Sequence, residues 1–199
     1  RYSGSYLTYG AGEGWWRTWY DRDEDDDEPA PRSLVTVPLR HPDRLQQHSM
    51  PHSIERVELL GDNIITFGVT GDRALGVSTL DLRRAPQVAG LLRIPGARES
   101  EGRSHAFNAL VRDDGSAVLG LPTMVGVGAK DRYGYEETED RLHILTADRN
   151  LKLGLAGAIA GDQLPENPGY KCEVSCVDWY GNTRPVFYRD RLFALMGRE

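Results

Sequence analysis

Short runs of alternating or β-branched residues, broken at regular intervals by Gly, Asp, Asn and Pro, run through most of this 199-residue chain. Residues 54–96 show the pattern most plainly. Arg56-Val57-Glu58-Leu59-Leu60 alternates, and Gly61-Asp62-Asn63 interrupts it. Residues 64–69 (IITFGV) are apolar and β-branched, and Thr70-Gly71-Asp72 interrupts again. Residues 74–82 follow, broken by Arg83-Arg84-Ala85-Pro86, and residues 87–94 close the unit at Pro95-Gly96. Strands of this length at this spacing belong to antiparallel all-β folds. Four of them with tight turns make one twisted sheet, which needs something stacked on each face.

The same reading extends outward. Residues 1–10 (RYSGSYLTYG) alternate as a strand, and residues 33–39 (SLVTVPL) form another that ends at His41-Pro42-Asp43. Residues 97–104 (ARESEGRS) are polar and are expected to be a loop. Residues 105–111 and 117–122 are two strands around Arg112-Asp113-Asp114-Gly115, and Asp-Gly is a strong hairpin signal. A polar excursion over residues 126–140 precedes a further pair, residues 141–147 and 151–159, around Asp148-Arg149-Asn150. After a loop over residues 161–171, strands are expected at residues 173–179, 185–188 and 192–195. A helix is hard to place. Residues 151–159 (LKLGLAGAI) come nearest, but Gly154 and Gly157 lower helix propensity and the run is expected to be a strand.

Composition agrees with that outline. Hydrophobic residues make up 39% and glycine is abundant at 22 residues, which suits many short strands and turns. The length permits one large β domain or two small ones. A net charge of −6 argues against a nucleic-acid partner. Much of that charge is local: DRDEDDDE at residues 21–28 carries most of the excess, and the remainder is close to neutral. No run approaches the ~20 apolar residues of a membrane-spanning helix. The first residue is Arg1 rather than Met, so the chain is expected to be a processed or cut piece.

Internal echoes add an organisation. Leu60-Gly61-Asp62-Asn63-Ile64 resembles Tyr188-Arg189-Asp190-Arg191-Leu192: a strand ends, an Asp turn follows and an apolar strand begins. Leu82-Arg83-Arg84-Ala85-Pro86 echoes Leu39-Arg40-His41-Pro42, and Leu91-Leu92-Arg93-Ile94-Pro95-Gly96 is mirrored by Ala156-Gly157-Ala158-Ile159-Ala160-Gly161. Their common order matches the ~40–50-residue period of propeller blades. On the segments LGDNIITFG, STLDLRRAPQVAGLLRIPG, SHAFNALVRDDGSAVLGLP and RPVFYRDRLFALMG, the chain resembles the C-terminal part of secreted bacterial β-propeller proteins distantly related to WD-40 repeats. The resemblance covers roughly residues 53–197; the Trp-rich and acidic insertion and the Cys-Glu-Val-Ser-Cys loop fall outside its pattern. It implies blades of four antiparallel strands and a secreted, periplasmic or cell-envelope location. It carries over no catalytic residue.

The expected division is a partial blade with its insertion over residues 1–52, a blade over 53–103, a blade over 104–171, and the inner strands of a last blade over 172–199, all in one propeller domain. That is about three blades' worth, where closed propellers take ~4–8. The expectation is therefore an incomplete fragment of a longer propeller, partnered by the N-terminal remainder of its own chain or by another protein.

Candidate sites follow, each beside a plainer alternative. Asp23, Asp25 and Asp27 alternate as calcium ligands could, but no Gly and twelfth-position Glu of an EF-hand loop follow; a solvated loop is the favoured reading. Trp15, Trp16, Trp19 and Tyr20 could stack on sugar rings or anchor a partner, or tuck against the side of the fold. Cys172 and Cys176 lack the further ligands of a metal site; the envelope location implied by the resemblance favours a short-loop disulfide, with two free thiols as the alternative. No Gly-x-Ser-x-Gly, His-Glu-x-x-His, phosphate loop or Cys-x-x-Cys occurs. The favoured function is thus a non-catalytic binding or scaffold module without a cofactor, calcium aside. Its rivals are a propeller hydrolase, with Glu101, His105, Asp113 and Asp114 lining the channel, and a structural subunit completed by another chain.

Overall fold

The computed structural model describes residues 1–10, 32–100, 106–126, 138–160, 183–189 and 191–196. Among these the chain is all-β, in fifteen strands without an α-helix; none of its elements is a helix long and apolar enough to cross a membrane. The first sheet has the order β1 (Tyr2–Ser3), β2 (Tyr6–Gly10), β3 (Ser33–Pro38), β4 (Gln46–Ser49). The second is β5 (Arg56–Leu60), β6 (Asn63–Val69), β7 (Leu75–Asp81), β8 (Gln87–Ile94). The third is β10 (Asn108–Val111), β11 (Ala117–Gly126), β12 (Thr138–Ala147), β13 (Leu153–Ala160), with β9 (Ala97–Glu99) also on β11. The fourth, as described, is the hairpin β14 (Thr183–Tyr188) and β15 (Arg191–Met196). Every pairing is antiparallel.

The sheets pack face to face in sequence order. Leu34 of the first meets Ile64 and Leu80 of the second, with Met50 and Ile54 of the connecting segment filling the gap. The other face of the second sheet supplies Ile65, Phe67, Leu75 and Val77 to a larger core, completed by Ala117, Leu119, Leu121 and Leu145 of the third. Phe67 and Phe107 tilt together there, centroids 5.3 Å apart. The second sheet is therefore covered on both sides, and β6 and β7 are buried almost end to end. The near-continuous apolar run of β6 follows from that double burial, while β7 buries Ser78 and Thr79 among its apolar residues. The fourth sheet lies on the far face of the third, where a Cβ built on Gly120 would stand 2.2 Å from the Cβ of Pro185. Only glycine permits that approach. Among the described residues the stack does not close into a ring.

The four strands expected over residues 54–96 form as one sheet, within a residue or so of the anticipated ends. Residues 153–160 are a strand, as the two glycines suggested. The Asp-Gly hairpin forms as well: Arg112 N donates to Ser116 O (2.8 Å) and Gly115 N to Arg112 O (2.9 Å). The internal echoes fall on equivalent places. Leu39 to Pro42 and Leu82 to Pro86 each link the third strand of a sheet to its fourth, and the two Gly-terminated runs are both fourth strands.

Several expectations need correction. Residues 1–10 are not one strand: Gly4, at φ +54°, turns the chain and β1 folds back on β2. Residues 97–104 are not all loop, because Ala97, Arg98 and Glu99 pair with Val125, Met124 and Thr123. β4 was invisible because Gln46-Gln47-His48-Ser49 is a polar edge strand with neither apolar nor β-branched residues. β12 begins at Thr138, inside the anticipated polar excursion. β9 and β10 lie end to end along β11, so β9 follows the second sheet in sequence but belongs to the third.

Candidate functional site

Of the residues singled out for chemistry, Trp15, Trp16, Trp19, Tyr20, Asp23, Asp25, Asp27, Glu101, His105, Cys172 and Cys176 lie outside the described residues. Asp113 and Asp114 are described, and both sit on the exposed β10–β11 turn. The Asp114 carboxylate accepts hydrogen bonds from the Ser116 hydroxyl (2.6 Å) and amide (2.9 Å). These bonds hold its pKa below the usual carboxylate value. Its geometry is that of a turn-closing residue.

Charge concentrates instead where β1, β5 and β9 converge. Arg56 and Glu58 occupy alternate positions of β5, so both project from one face, towards the third sheet. Glu99 on β9 projects back from that sheet. Its carboxylate accepts a very short bond from Arg56 Nε, while Arg56 Nη1 lies 3.2 Å from Glu58 Oε1. Arg1 closes the series, with Nη2 at 2.7 Å from Glu58 Oε2 and Nε donating to Val57 O (2.9 Å). The order Arg1, Glu58, Arg56, Glu99 thus alternates in sign across three sheets. Arg56 is 5% exposed and Glu99 13% at the side chain. Burial raises the Glu99 pKa to about 7, outweighing the attraction of Arg56; Glu55 and Glu58 push the same way.

A second polar constellation is sealed between the first and second sheets. His52 lies over Gly76 of β7, where a Cβ would stand 2.6 Å from the histidine's own Cβ. Its Nδ1 is 2.6 Å from Ser53 O, which can only accept, so Nδ1 carries the proton. Nε2 then accepts from the Ser78 hydroxyl at 2.6 Å. Serine and imidazole at this distance are the pair a hydrolase uses for nucleophile and base. Both are fully buried, however, and burial is the main cause of the lowered His52 pKa. No substrate reaches Ser78 in this packing; the pair pins the crossing segment to β7. His143 makes a similar buried contact, its Nδ1 at 2.6 Å from Thr123 Oγ1.

The remaining feature is the outer surface of the two end sheets. Opposite the packed face of the first sheet, register places Tyr2, Leu7 and Val37 in one row and Tyr9 with Val35 in the next; Tyr2 is 68% exposed. On the fourth sheet, Val186 opposite Phe193, with Tyr188 and Leu195, forms a second exposed face, in which Arg184 and Arg191 alternate with the apolar residues. Soluble monomers seldom leave such contiguous faces in water.

Sequence reasoning missed the charge series because it treated residues 97–104 as loop and assigned no face to the alternation of β5. β5 is inverted: Arg56 and Glu58 are buried and Leu59 is exposed. The available signal was opposite charges two residues apart on a strand, which must share a face. Among the described residues, no three His, Cys, Asp or Glu side chains gather as metal ligands do. No protein-family model, curated protein or solved structure matches the chain.

Proposed function

We propose that the chain is a segment of an extracytoplasmic β-propeller that acts as a binding or scaffold module rather than an enzyme. The observation that carries this reading is the pair of outer faces on the end sheets: Tyr2, Leu7, Tyr9, Val35 and Val37 at one end, and Val186, Tyr188, Phe193 and Leu195, with Arg184 and Arg191 among them, at the other. Sheets of the same four-stranded kind would cover them as the first and third sheets cover the second. The polar contacts with the geometry of catalysis, His52 with Ser78 above all, are sealed between sheets and favour a structural role.

Analytical ultracentrifugation with a dye for exposed apolar surface tests the reading. The chain alone should bind the dye and self-associate, and Tyr9→Glu with Phe193→Glu should suppress both without unfolding it. A dye-negative monomer, indifferent to those substitutions, would show that the end faces dock nothing.

A further inference from the structure

The turns that join the third strand of each sheet to the fourth carry the same kind of side chain. Arg40 and Arg44 lie between β3 and β4, Arg83 and Arg84 between β7 and β8, and Arg149 and Lys152 between β12 and β13. All six are exposed. The three turns share one end of the stack. Ser3 Oγ donates to Asp62 O (2.7 Å), and a Cβ built on Gly61 would stand 3.6 Å from Val111 Cγ1, so the first-to-second-strand turns of neighbouring sheets lie side by side. In an antiparallel meander the third-to-fourth-strand turn falls at that same end. Between the second and third sheets the turns touch, where Arg83 Nη1 donates to Arg149 O (3.1 Å). Three carboxylates accompany the six cations. Asp81 is engaged by Arg83 (2.7 Å), Asp148 accepts from the amides of Asn150 (2.8 Å) and Lys152 (2.9 Å), and Asp43 is the third. The row is therefore positive. Asp62, Asp113 and Asp114 sit at the same end but on the first-to-second-strand turns, so opposite charges are segregated across the width of the sheets.

We propose that this row docks a carboxylated polysaccharide, laid across successive sheets so that its uronate groups meet the cations of each turn in order. Guanidinium forks suit carboxylates. Packed sheets lie ~10 Å apart, so the cations recur at a set interval. In a stiff two-fold chain of uronates every second carboxylate faces the same side, at a comparable interval. A flexible acidic peptide loses more conformational entropy in holding that register. The chain's net charge of −6 does not keep such a polymer away, because charges beyond ~8 Å are largely screened at physiological ionic strength. Polymers of this kind lie outside the cytoplasm, so their encounter with the chain rests on the extracytoplasmic location proposed above.

Surface plasmon resonance on immobilised alginate, a polyuronate, with neutral dextran and polyglutamate as the other surfaces, tests the docking. The chain should bind alginate, more weakly as salt is raised, and ignore dextran. Arg84→Glu with Arg149→Glu should weaken binding on the order of tenfold, and lysine at both positions should retain most of it. Arg73→Glu, the same change of charge on the exposed β6–β7 turn at the opposite end, should leave binding unaltered. Dye binding and self-association of these variants should match the parent, because neither end face is touched. Failure on alginate therefore leaves the stacking of sheets standing, and loss of self-association alone leaves the row standing. No binding to alginate, indifference to Arg84→Glu with Arg149→Glu, an equal loss with Arg73→Glu, or polyglutamate held more tightly than alginate would overturn the docking.

Discussion

Replacing Ser78 by alanine separates a structural histidine contact from a catalytic one. The hydroxyl donates to His52 Nε2 at 2.6 Å in a fully buried interface, and Nδ1 is already committed to Ser53 O. Ser78→Ala removes few atoms and opens almost no cavity, so its cost is that of leaving one imidazole nitrogen unsatisfied. A buried acceptor deprived of its donor costs about 1–3 kcal/mol. Urea unfolding of both proteins at neutral pH should show that loss as a lower midpoint with an unchanged slope. A double-mutant cycle with His52→Ala should return a coupling of about 1–2 kcal/mol, since the partners touch. A fluorophosphonate, which labels activated serines, should leave the native chain unmodified. Equal stability of Ser78→Ala and the parent, or phosphonylation at Ser78, would refute the assignment, because a sealed structural pair can give neither result.

Further predictions follow from the core and the charges. Phe67→Ala, at the centre of the larger core, should cost about 3–5 kcal/mol and expose the whole stack to unfolding. Gly120→Val should force Pro185 away and abolish exchange protection in β14 and β15 while β6 and β7 stay protected; an intact fourth sheet would mean it does not rest there. Glu99→Gln should remove the part of the stability that falls as pH rises from 4.5 towards 7, because the folded chain binds the Glu99 proton more tightly than the unfolded chain does. His48, His52 and His143 act in the opposite sense: burial lowers their pKa values, so stability is lost as pH falls below ~6.5 and unfolded histidine takes up protons. Glu99→Gln should therefore steepen the acid limb in a pH series of urea midpoints.

The residues that revealed the fold are those in which local and tertiary preferences agree. β6 is apolar, β-branched and flanked by Gly-Asp turns, and β6 and β7 are both buried on both faces, so local pattern and burial gave one answer. The elements that escaped notice are short and polar. β4 lies at an edge, where one row of backbone groups is unpaired and polar side chains remain solvated. β9 is three residues long, and its pairing is decided by the remote partner Thr123–Val125 rather than by any pattern of its own. The candidate site was hidden for a related reason. Burying Arg56 depends on Glu58 and on Glu99, which lies 43 residues away in sequence. β5 itself shows the Glu58 half of that compensation, two residues on, but not the Glu99 half. Asp114 illustrates the converse: a Gly-flanked acid that suggested chemistry is engaged by the Ser116 backbone two residues on.

Residue-resolved hydrogen exchange under native conditions tests the layered arrangement most directly. Face-to-face stacking, with outer faces uncovered among the described residues, predicts the slowest exchange in β6 and β7, slow exchange in the adjoining β11 and β12, and the fastest in β1, β2, β14 and β15. Protection in the end sheets of the isolated chain equal to that in β6 and β7 would contradict the arrangement.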